Sequence, residues 1–312
     1  PMKKYIYFIL FLIFSCDDLN NDCCNNLNDF EGGLNIINTN FDELNREYLI
    51  YIPESSSNTE KLPIVINLHG GSQYAQSYMD YTSDMRPIAD TAKFILIYPQ
   101  ATLDDYGNPT WHLGAENSKS TSVDDVGYIE HIIEEVSISQ NIDLERIYVC
   151  GFSNGAYLTY ELACLLNDKI AGIGVVGGHM FIDTYNYCSP VHPTPIINVH
   201  GTDDFYDGIS TYYLSQENSN NYWANYNNTN EIPTISQIEN INVNDGSTVE
   251  LYSWKDGDKG TTVEHYKIIG GGHDWPKINE ISSGKEGYSN GDIDANILIW
   301  NYLSNYDING IR

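Results

Sequence analysis

Short apolar runs rich in Ile and Val alternate with helical patterns along most of this chain. Eight such runs predict strands over 47–52, 64–68, 94–98, 146–150, 170–176, 195–200, 249–254 and 263–269. The segments between them predict helices over 79–92, 124–139, 156–167, 212–225 and 292–305. Apolar strands separated by helices are typical of a mostly parallel sheet covered on both faces. We therefore expect an α/β protein, in which the Asn-rich stretch 218–244 is a surface loop rather than a lid.

Charge narrows the range of partners. The 312 residues include 43 Asp and Glu against 15 Lys and Arg, which gives a formal net charge of −28. Such a surface repels phosphate backbones and anionic headgroups, so we expect no nucleic-acid partner and no binding to a lipid surface. The same negative charge favours neutral substrates over anionic ones. The sequence does not indicate an oligomeric state.

The first residues predict export. Lys3 and Lys4 precede an apolar run over 5–14, which at ~1.5 Å per residue spans about half of a ~30 Å bilayer core. The run is therefore a signal-peptide core, and it ends in a sequence that resembles a lipoprotein box, Ile13-Phe14-Ser15-Cys16. We expect residues 1–16 to be the signal and Cys16 to be acylated, with an ordinary cleaved signal as the alternative.

Residues 17–40, rich in Asn and Asp, are expected to form a flexible tether, and residues 41–308 the folded domain. The protein would lie on the outer membrane or cell surface, or otherwise be periplasmic or extracellular, and the anchor would be its only membrane contact. In that oxidising compartment Cys164 and Cys188 are the best candidate disulfide, although the sequence alone does not fix the pairing. Cys150, in an apolar strand, is expected to be a buried thiol.

One strand runs into a serine motif. Residues 146–150 are followed by Gly151-Phe152-Ser153-Asn154-Gly155 and then by a helical pattern. Glycines on both sides of a serine relieve crowding in a strained strand-to-helix turn that exposes the hydroxyl. Ser153 is therefore a candidate nucleophile, against the alternative of a glycine-rich structural turn.

A serine hydroxyl needs a histidine base, and that histidine needs a carboxylate, in the chain order Ser, acid, His. Asp203 and Asp204 both follow the strand over 195–200, and His273 follows the strand over 263–269 in a glycine-rich loop. His179, which also follows an apolar strand, is the alternative base. The remaining histidines are expected to pack in the core, lie on the surface or stabilise turns: His69, His112, His131, His192, His200 and His265.

Other loops offer candidates for the rest of the site. The amide of Asn154 and that of Gly71 or Ser72, in the loop that starts at His69, could stabilise an oxyanion. Trp111 and Trp275 are expected to line an acyl or sugar pocket, with packing under long loops as the alternative. Since no metal-binding motif is present, we expect neither metal nor cofactor.

Together these motifs resemble the polyhydroxybutyrate depolymerase and feruloyl esterase group (carbohydrate esterase family 1) of the α/β-hydrolases over about residues 45–305. The shared series is HGG at 69–71, RPIAD and YPQA within 86–101, Trp111, VDDVGYI at 123–129, GFSNG at 151–155, HGTDD at 200–204, Trp223 with Ala224, and GGGHDWP at 270–276. The resemblance implies an α/β-hydrolase fold and a catalytic triad of Ser153, Asp204 and His273, in which the second carboxylate of the HGTDD segment is the acid.

The resemblance also implies carboxylic-ester hydrolysis by a secreted enzyme. Its substrate would be an acylated polysaccharide or a small ester, with feruloyl-esterase-like action on plant polysaccharide as the first expectation. Polyester depolymerase and acetylxylan esterase are the alternatives within the group, and a serine peptidase and a non-catalytic glycan-binding lipoprotein are alternatives outside it. The sequence departs from the group at 205–208, where Phe-Tyr-Asp-Gly replaces a Val-Pro-Tyr stretch, so we expect a different pocket wall there.

Overall fold

The computed structural model describes residues 30–54, 59–113, 123–204, 210–278, 283–284 and 287–312. The expected signal at 1–16 with Cys16, the first part of the expected tether and the departure at 205–208 lie outside these residues. No described helix is long and apolar enough to cross a membrane.

A single large sheet forms the centre of the described part of the chain. Its strands are β1 (Gly33–Phe41), β2 (Leu44–Ile52), β3 (Leu62–Leu68), β4 (Ile95–Pro99), β5 (Ile142–Phe152), β6 (Gly172–Val176), β7 (Ile196–Gly201), β8 (Thr234–Gln237), β9 (Thr248–Trp254) and β10 (Val263–Ile269). They lie in the order β1-β2-β4-β3-β5-β6-β7-β10-β9-β8. The six strands from β4 to β10 in this order are parallel, and antiparallel pairs flank them on both sides. Two short hairpins, β11 (Ser283–Gly284) with β12 (Gly287–Tyr288) and β13 (Tyr306–Asp307) with β14 (Gly310–Ile311), lie outside the sheet.

Helices cover both faces. They are α1 (Ala75–Ser77), which continues as a π-helical turn (Tyr78–Thr82), then α2 (Arg86–Ala92), α3 (Asp125–Ser139), α4 (Asn154–Leu165), α5 (Ile182–Tyr187), α6 (Gln216–Tyr226) and α7 (Ala295–Leu303), with a 3-10 turn at Asp258–Gly260. Successive residues of β3 point to opposite sides: Ile64 and Ile66 join the apolar core under α3, α4 and α6, and Val65 joins the core under α2 and α7. The predicted α/β class is confirmed.

The prediction of a flexible tether up to residue 40 is wrong for its last part, because residues 33–40 belong to the edge strand β1. A two-residue turn joins β1 to β2, and both of its residues, Asp42 and Glu43, have positive φ (49° and 63°). This is the backbone that tight hairpins require. Ile37 and Phe41 are half-buried against the core, so the folded body begins before residue 41.

Two further expectations need correction. The helix predicted over 79–92 is interrupted between Thr82 and Arg86, because Pro87 has no N–H to donate and fits only the first turn of a helix. The stretch 218–244, expected to be a loop, instead contributes most of α6 and all of β8.

Candidate active site

Ser153 occupies the sharp turn between β5 and α4. Its backbone has φ 52° and ψ −117°, a conformation that non-glycine residues rarely adopt. The flanking glycines are required by space, because a Cβ on Gly155 would lie 2.4 Å from the carbonyl oxygen of Leu68, and one on Gly151 would lie 2.5 Å from that of Gly155. The turn therefore carries Ser153 at the carboxyl end of a central strand, where open-sheet sites are built.

Three predicted residues meet in one hydrogen-bonded chain. His273 Nε2 lies 2.9 Å from Ser153 Oγ, and His273 Nδ1 lies 2.8 Å from Asp204 Oδ2. The Asp204 carboxylate is fully buried, whereas the His273 side chain is 12% exposed. Since an ionised carboxylate only accepts hydrogen bonds, Nδ1–H donates to Asp204 and Nε2 is left to accept from the serine hydroxyl.

The neighbouring carboxylate has a different setting. Asp203 is exposed, and its side chain accepts a hydrogen bond from Thr202 Oγ1 at 3.2 Å. The loops after β7 and β10 are tied together, because the amide of Asp203 donates to Gly271 O at 2.8 Å and that of Gly270 donates to Thr202 Oγ1 at 2.9 Å. Asp204 and His273 are therefore held on one connected unit.

A second histidine lies behind Asp204. His200 Nδ1 accepts a hydrogen bond from Gln216 Nε2 at 2.9 Å, so the ring proton sits on Nε2, 3.6 Å from Asp204 Oδ2. Burial lowers the pKa of His200 to about 3, so the ring is neutral. From the sequence alone, we expected His200 to stabilise a turn. His179, the alternative base, packs its ring against those of His200 and Tyr213.

The loop after β3 lies beside the serine turn. A Cβ on Gly70 would lie 3.4 Å from Ser153 Cβ, and one on Gly71 would lie 3.6 Å from Asn154 Cβ. Asn154 is the first residue of α4, where a helix leaves its N–H groups without intrahelical acceptors. The Ser72 amide already donates to Pro109 O at 2.8 Å. The expectation of an oxyanion donor at Ser72 is therefore wrong, and Gly71 and Asn154 are the remaining pair.

His69 fixes the shape of this loop. The Ala101 amide donates to His69 Nε2 at 3.1 Å, so the proton is on Nδ1, which donates to Gly70 O at 2.7 Å. Burial lowers the pKa of His69 to about 4 and keeps the ring neutral. The side-chain nitrogen Nε2 of Gln100 also lies 3.2 Å from His69 Nε2. The only sequence signal for Gln100 was its place in the YPQA segment.

The expectation that Trp111 and Trp275 line a pocket is wrong, because both side chains are 1% exposed. Trp111 Nε1 donates to His69 O at 2.8 Å, and its amide donates to Asn154 Oδ1 at 2.7 Å. Trp275 packs edge-on against Phe152 and donates to Asn296 Oδ1 at 3.1 Å. The two tryptophans hold the loops of the site rather than touch a ligand.

A buried ion pair between Arg46 and Asp125 holds the segment that contains Trp111. Arg46 Nη2 donates to Asp125 Oδ1 at 2.6 Å, and the amide of His112 donates to the other carboxylate oxygen at 2.8 Å. Asp124 caps α3 by accepting from the Gly127 amide at 2.8 Å. These contacts explain the two adjacent aspartates of the VDDVGYI segment.

The structure pairs two of the described cysteines and leaves the third as a thiol. Cys164 at the end of α4 and Cys188 after α5 are joined by a disulfide, and Cys150 is buried and unpaired. Burial raises the pKa of the Cys150 thiol well above its ordinary value. Within the described ranges no group of three or more His, Cys, Asp or Glu side chains could hold a metal ion.

Comparison with known proteins gives matches to esterases. The family model described as esterase PHB depolymerase matches residues 46–193. A bifunctional acetylxylan esterase/xylanase of Neocallimastix patriciarum is 25% identical over 85% of this chain and 34% of its own length. Poly(3-hydroxyalkanoate) depolymerase C of Paucimonas lemoignei is 25% identical over 79% of this chain and 62% of its own length. Feruloyl esterase B of Piromyces equi is 24% identical over 73% of this chain and 42% of its own length.

Among solved structures, the acetyl xylan esterase from Aspergillus awamori superposes with a TM-score of 0.59 at 16% identity, covering 79% of this chain and 96% of that one. The fold is therefore that of the α/β-hydrolases, as the motifs implied. These matches confirm the resemblance to the PHB depolymerase and feruloyl esterase group, with the family model covering slightly less than half of the chain. The chain spans between 34% and 62% of the length of these three curated relatives.

Proposed function

We propose that the protein is a serine carboxylic-ester hydrolase with Ser153 as nucleophile, His273 as general base and Asp204 as the acid that orients it. The single observation behind this proposal is the unbroken hydrogen-bond chain from Ser153 Oγ through both ring nitrogens of His273 to Asp204 Oδ2. Since Nε2 faces the hydroxyl with its lone pair, it can take the proton as Oγ attacks an ester carbonyl.

The reaction then proceeds in two halves. Oγ bonds to the carbonyl carbon, and the negative charge on the carbonyl oxygen is stabilised by the Gly71 and Asn154 amides. His273 returns the proton to the leaving alcohol as the C–O bond breaks, which leaves an acyl-Ser153. Water then gives a proton to His273 and attacks the acyl carbon. His273 returns this proton to Ser153 Oγ as the bond between Oγ and the acyl carbon breaks, which releases the carboxylic acid and restores free Ser153.

We infer that the substrate is an acylated plant polysaccharide with acetyl as the first candidate acyl group, in place of the feruloyl group expected from the sequence. An aromatic acyl pocket built on Trp111 and Trp275 has no support, because both rings are buried. The names acetylxylan esterase and acetyl xylan esterase occur both among the sequence relatives and for the superposed structure. Feruloyl esterase B keeps the feruloyl ester as the second candidate.

The test is hydrolysis of acetylated xylan, methyl ferulate and a hydroxybutyrate oligomer in parallel by the full chain and by Ser153→Ala. We expect the wild type to cleave the acetyl ester fastest, and the variant to fold normally while losing at least about 10³-fold in kcat, since catalysis depends on the nucleophile. The melting temperature, with a circular dichroism spectrum, is the control for folding.

Other outcomes are informative. Substantial turnover by Ser153→Ala would overturn the assignment of the nucleophile. Preference for methyl ferulate or for the hydroxybutyrate oligomer would keep the triad and change the substrate. Cleavage of a peptide amide with no cleavage of esters would favour the peptidase alternative.

We also propose that the chain is exported and anchored through an acylated Cys16, as its signal-like first 16 residues indicate. A disulfide between Cys164 and Cys188 is consistent with an oxidising compartment. Metabolic labelling with a tagged fatty acid, followed by membrane fractionation, tests this. We expect label on the wild type and none on Cys16→Ser, whereas a labelled variant would contradict acylation at Cys16.

A further inference from the structure

A groove with a volume of about 620 Å³ lies between α6 and the adjoining face of β7, β10 and β9. His200 and Thr202 line it at the carboxyl end of β7, and Trp254 lines it further along the sheet. Ser153 and His273 are not among its lining residues. The groove is thus a feature distinct from the cleft at the serine turn, although Thr202 links it to the loop that carries His273.

Three buried polar groups that border the groove have no hydrogen-bond partner within the described part of the chain: Asn220 Nδ2, Trp254 Nε1 and His265 Nε2. Their residues are only 1%, 5% and 7% exposed. Leaving a buried polar group unpaired costs about 1–3 kcal/mol, so three around one space are unusual in a folded protein. These three atoms have almost no accessible surface, so a ligand with hydrogen-bonding groups would satisfy them only when the side chains around the groove move apart to admit it.

The chemistry of the walls selects the kind of ligand. Burial holds His265 neutral, so the three unpaired groups offer uncharged hydrogen bonds. The half-buried Tyr252 ring and Pro233 present apolar surface, and the Lys267 ammonium lies 5.8 Å from the Tyr252 ring centroid.

The rim of the groove carries two exposed carboxylates, those of Glu217 and Glu231. These carboxylates and the net charge of −28 oppose an anionic ligand. The groove thus favours a ligand that forms uncharged hydrogen bonds, offers an apolar face to the Tyr252 ring and carries no negative charge. A sugar ring has these three properties, since its hydroxyls donate and accept hydrogen bonds, one of its faces is apolar and it is neutral.

We propose that this groove is a carbohydrate-binding site that holds a neutral oligosaccharide. The site is additional to the ester-hydrolysing centre and would bind the sugar chain itself, with or without an acyl group. It therefore does not depend on the proposed esterase activity.

Calorimetric titration of the full chain with unacylated xylotetraose, and separately with cellotetraose, tests the proposal. We expect binding of at least one of them. Tyr252→Ala should weaken it about tenfold or more by removing the ring, and Trp254→Phe should weaken it about three- to tenfold by removing one N–H donor while keeping a ring. Tyr106→Ala, at a 90% exposed tyrosine in another loop, is the matched control and should bind as the wild type does.

Hydrogen exchange with and without the bound tetrasaccharide locates the site independently of catalysis. Protection of α6, β9 and β10 is expected, and protection confined to the loops at 70–71 and 153–154 would place the sugar at the serine turn and overturn the proposal. Absence of binding by both tetrasaccharides at millimolar concentration would also overturn it, as would unchanged affinity in both groove variants. Because the probes carry no ester, binding without any esterase activity would discard only the proposed function.

Discussion

At the scale of single residues, the site depends on close backbone approach at the serine turn. Ser153 tolerates a positive φ because the carboxyl end of β5 and the start of α4 are fixed by the structure around them. That structure is dense: the carbonyl oxygens of Leu68 and His69 lie 2.4 and 2.5 Å from the position of a Cβ on Gly155. The turn and the loop after β3 therefore share their space and cannot be changed separately.

Gly155→Ala tests this crowding. We expect the free energy of unfolding to fall by about 3 kcal/mol or more, because backbone on both sides would have to shift. Gly71→Ala is the control, since its Cβ would meet Asn154 Cβ at an ordinary 3.6 Å and its stability should change by less than about 1 kcal/mol. Equal urea midpoints for the two variants would show that crowding at Gly155 is not important.

Motifs predicted the identity of Ser153 and His273 because both sit in glycine-rich turns that directly follow apolar strands. Asp203 and Asp204 could not be separated from local pattern alone, since adjacent residues after a strand differ only in the direction of their side chains. The prediction that Trp111 and Trp275 line a pocket was wrong for a related reason. The sequence does not distinguish an aromatic residue that faces a ligand from one that packs beneath its loop.

At the scale of elements, exposure decided which strands could be predicted. All of β8 is exposed and carries no apolar run, so nothing in the sequence distinguished it from a loop. β1 alternates half-buried and exposed residues, with Ile36 57% exposed, and among the described strands it pairs only with β2. All the parallel central strands, which are largely buried, were predicted, and so were the antiparallel strands β2 and β9, which also carry apolar runs.

Two N-terminal truncations test the role of β1. A chain starting at residue 42 lacks β1 and leaves the edge of β2 unpaired, whereas a chain starting at residue 30 keeps the strand. Loss of the burial of Ile37 and Phe41 should cost about 2 kcal/mol, which for a chain of this length corresponds to a melting temperature lower by about 3–4 °C. An exposed strand edge should also promote aggregation, which light scattering would detect. Identical melting curves for the two chains would contradict a structural role for β1.

At the scale of the whole molecule, burial of neutral histidines makes folding sensitive to acid. Burial lowers the pKa of His69 to about 4 and the pKa values of His200 and His265 to about 3. In the unfolded chain these rings have their ordinary pKa of about 6.5. Between these values the unfolded state binds protons that the folded state does not, so stability is present in full above about pH 6.5 and is lost as the pH falls.

Urea unfolding at a series of pH values from 7.5 to 4.5 measures this loss. Each such histidine should add up to about 1.4 kcal/mol per pH unit to the slope near pH 5. His265→Gln removes one titrating ring outside the triad, so its slope should be smaller than that of the wild type by that amount. A slope unchanged by the substitution would mean that His265 titrates alike in both states.

The order of the site residues along the chain has a consequence for synthesis. The segment that matches the family model, residues 46–193, contains Ser153, Gly71 and Asn154 but neither Asp204 nor His273. Polypeptide emerges from the ribosome from its amino end, so Ser153 is made 120 residues before His273, its proposed base. A product of interrupted translation, or of proteolysis before residue 204, would lack both partners of Ser153 in the proposed mechanism, so the proposed hydrolysis would begin only after His273 has been made.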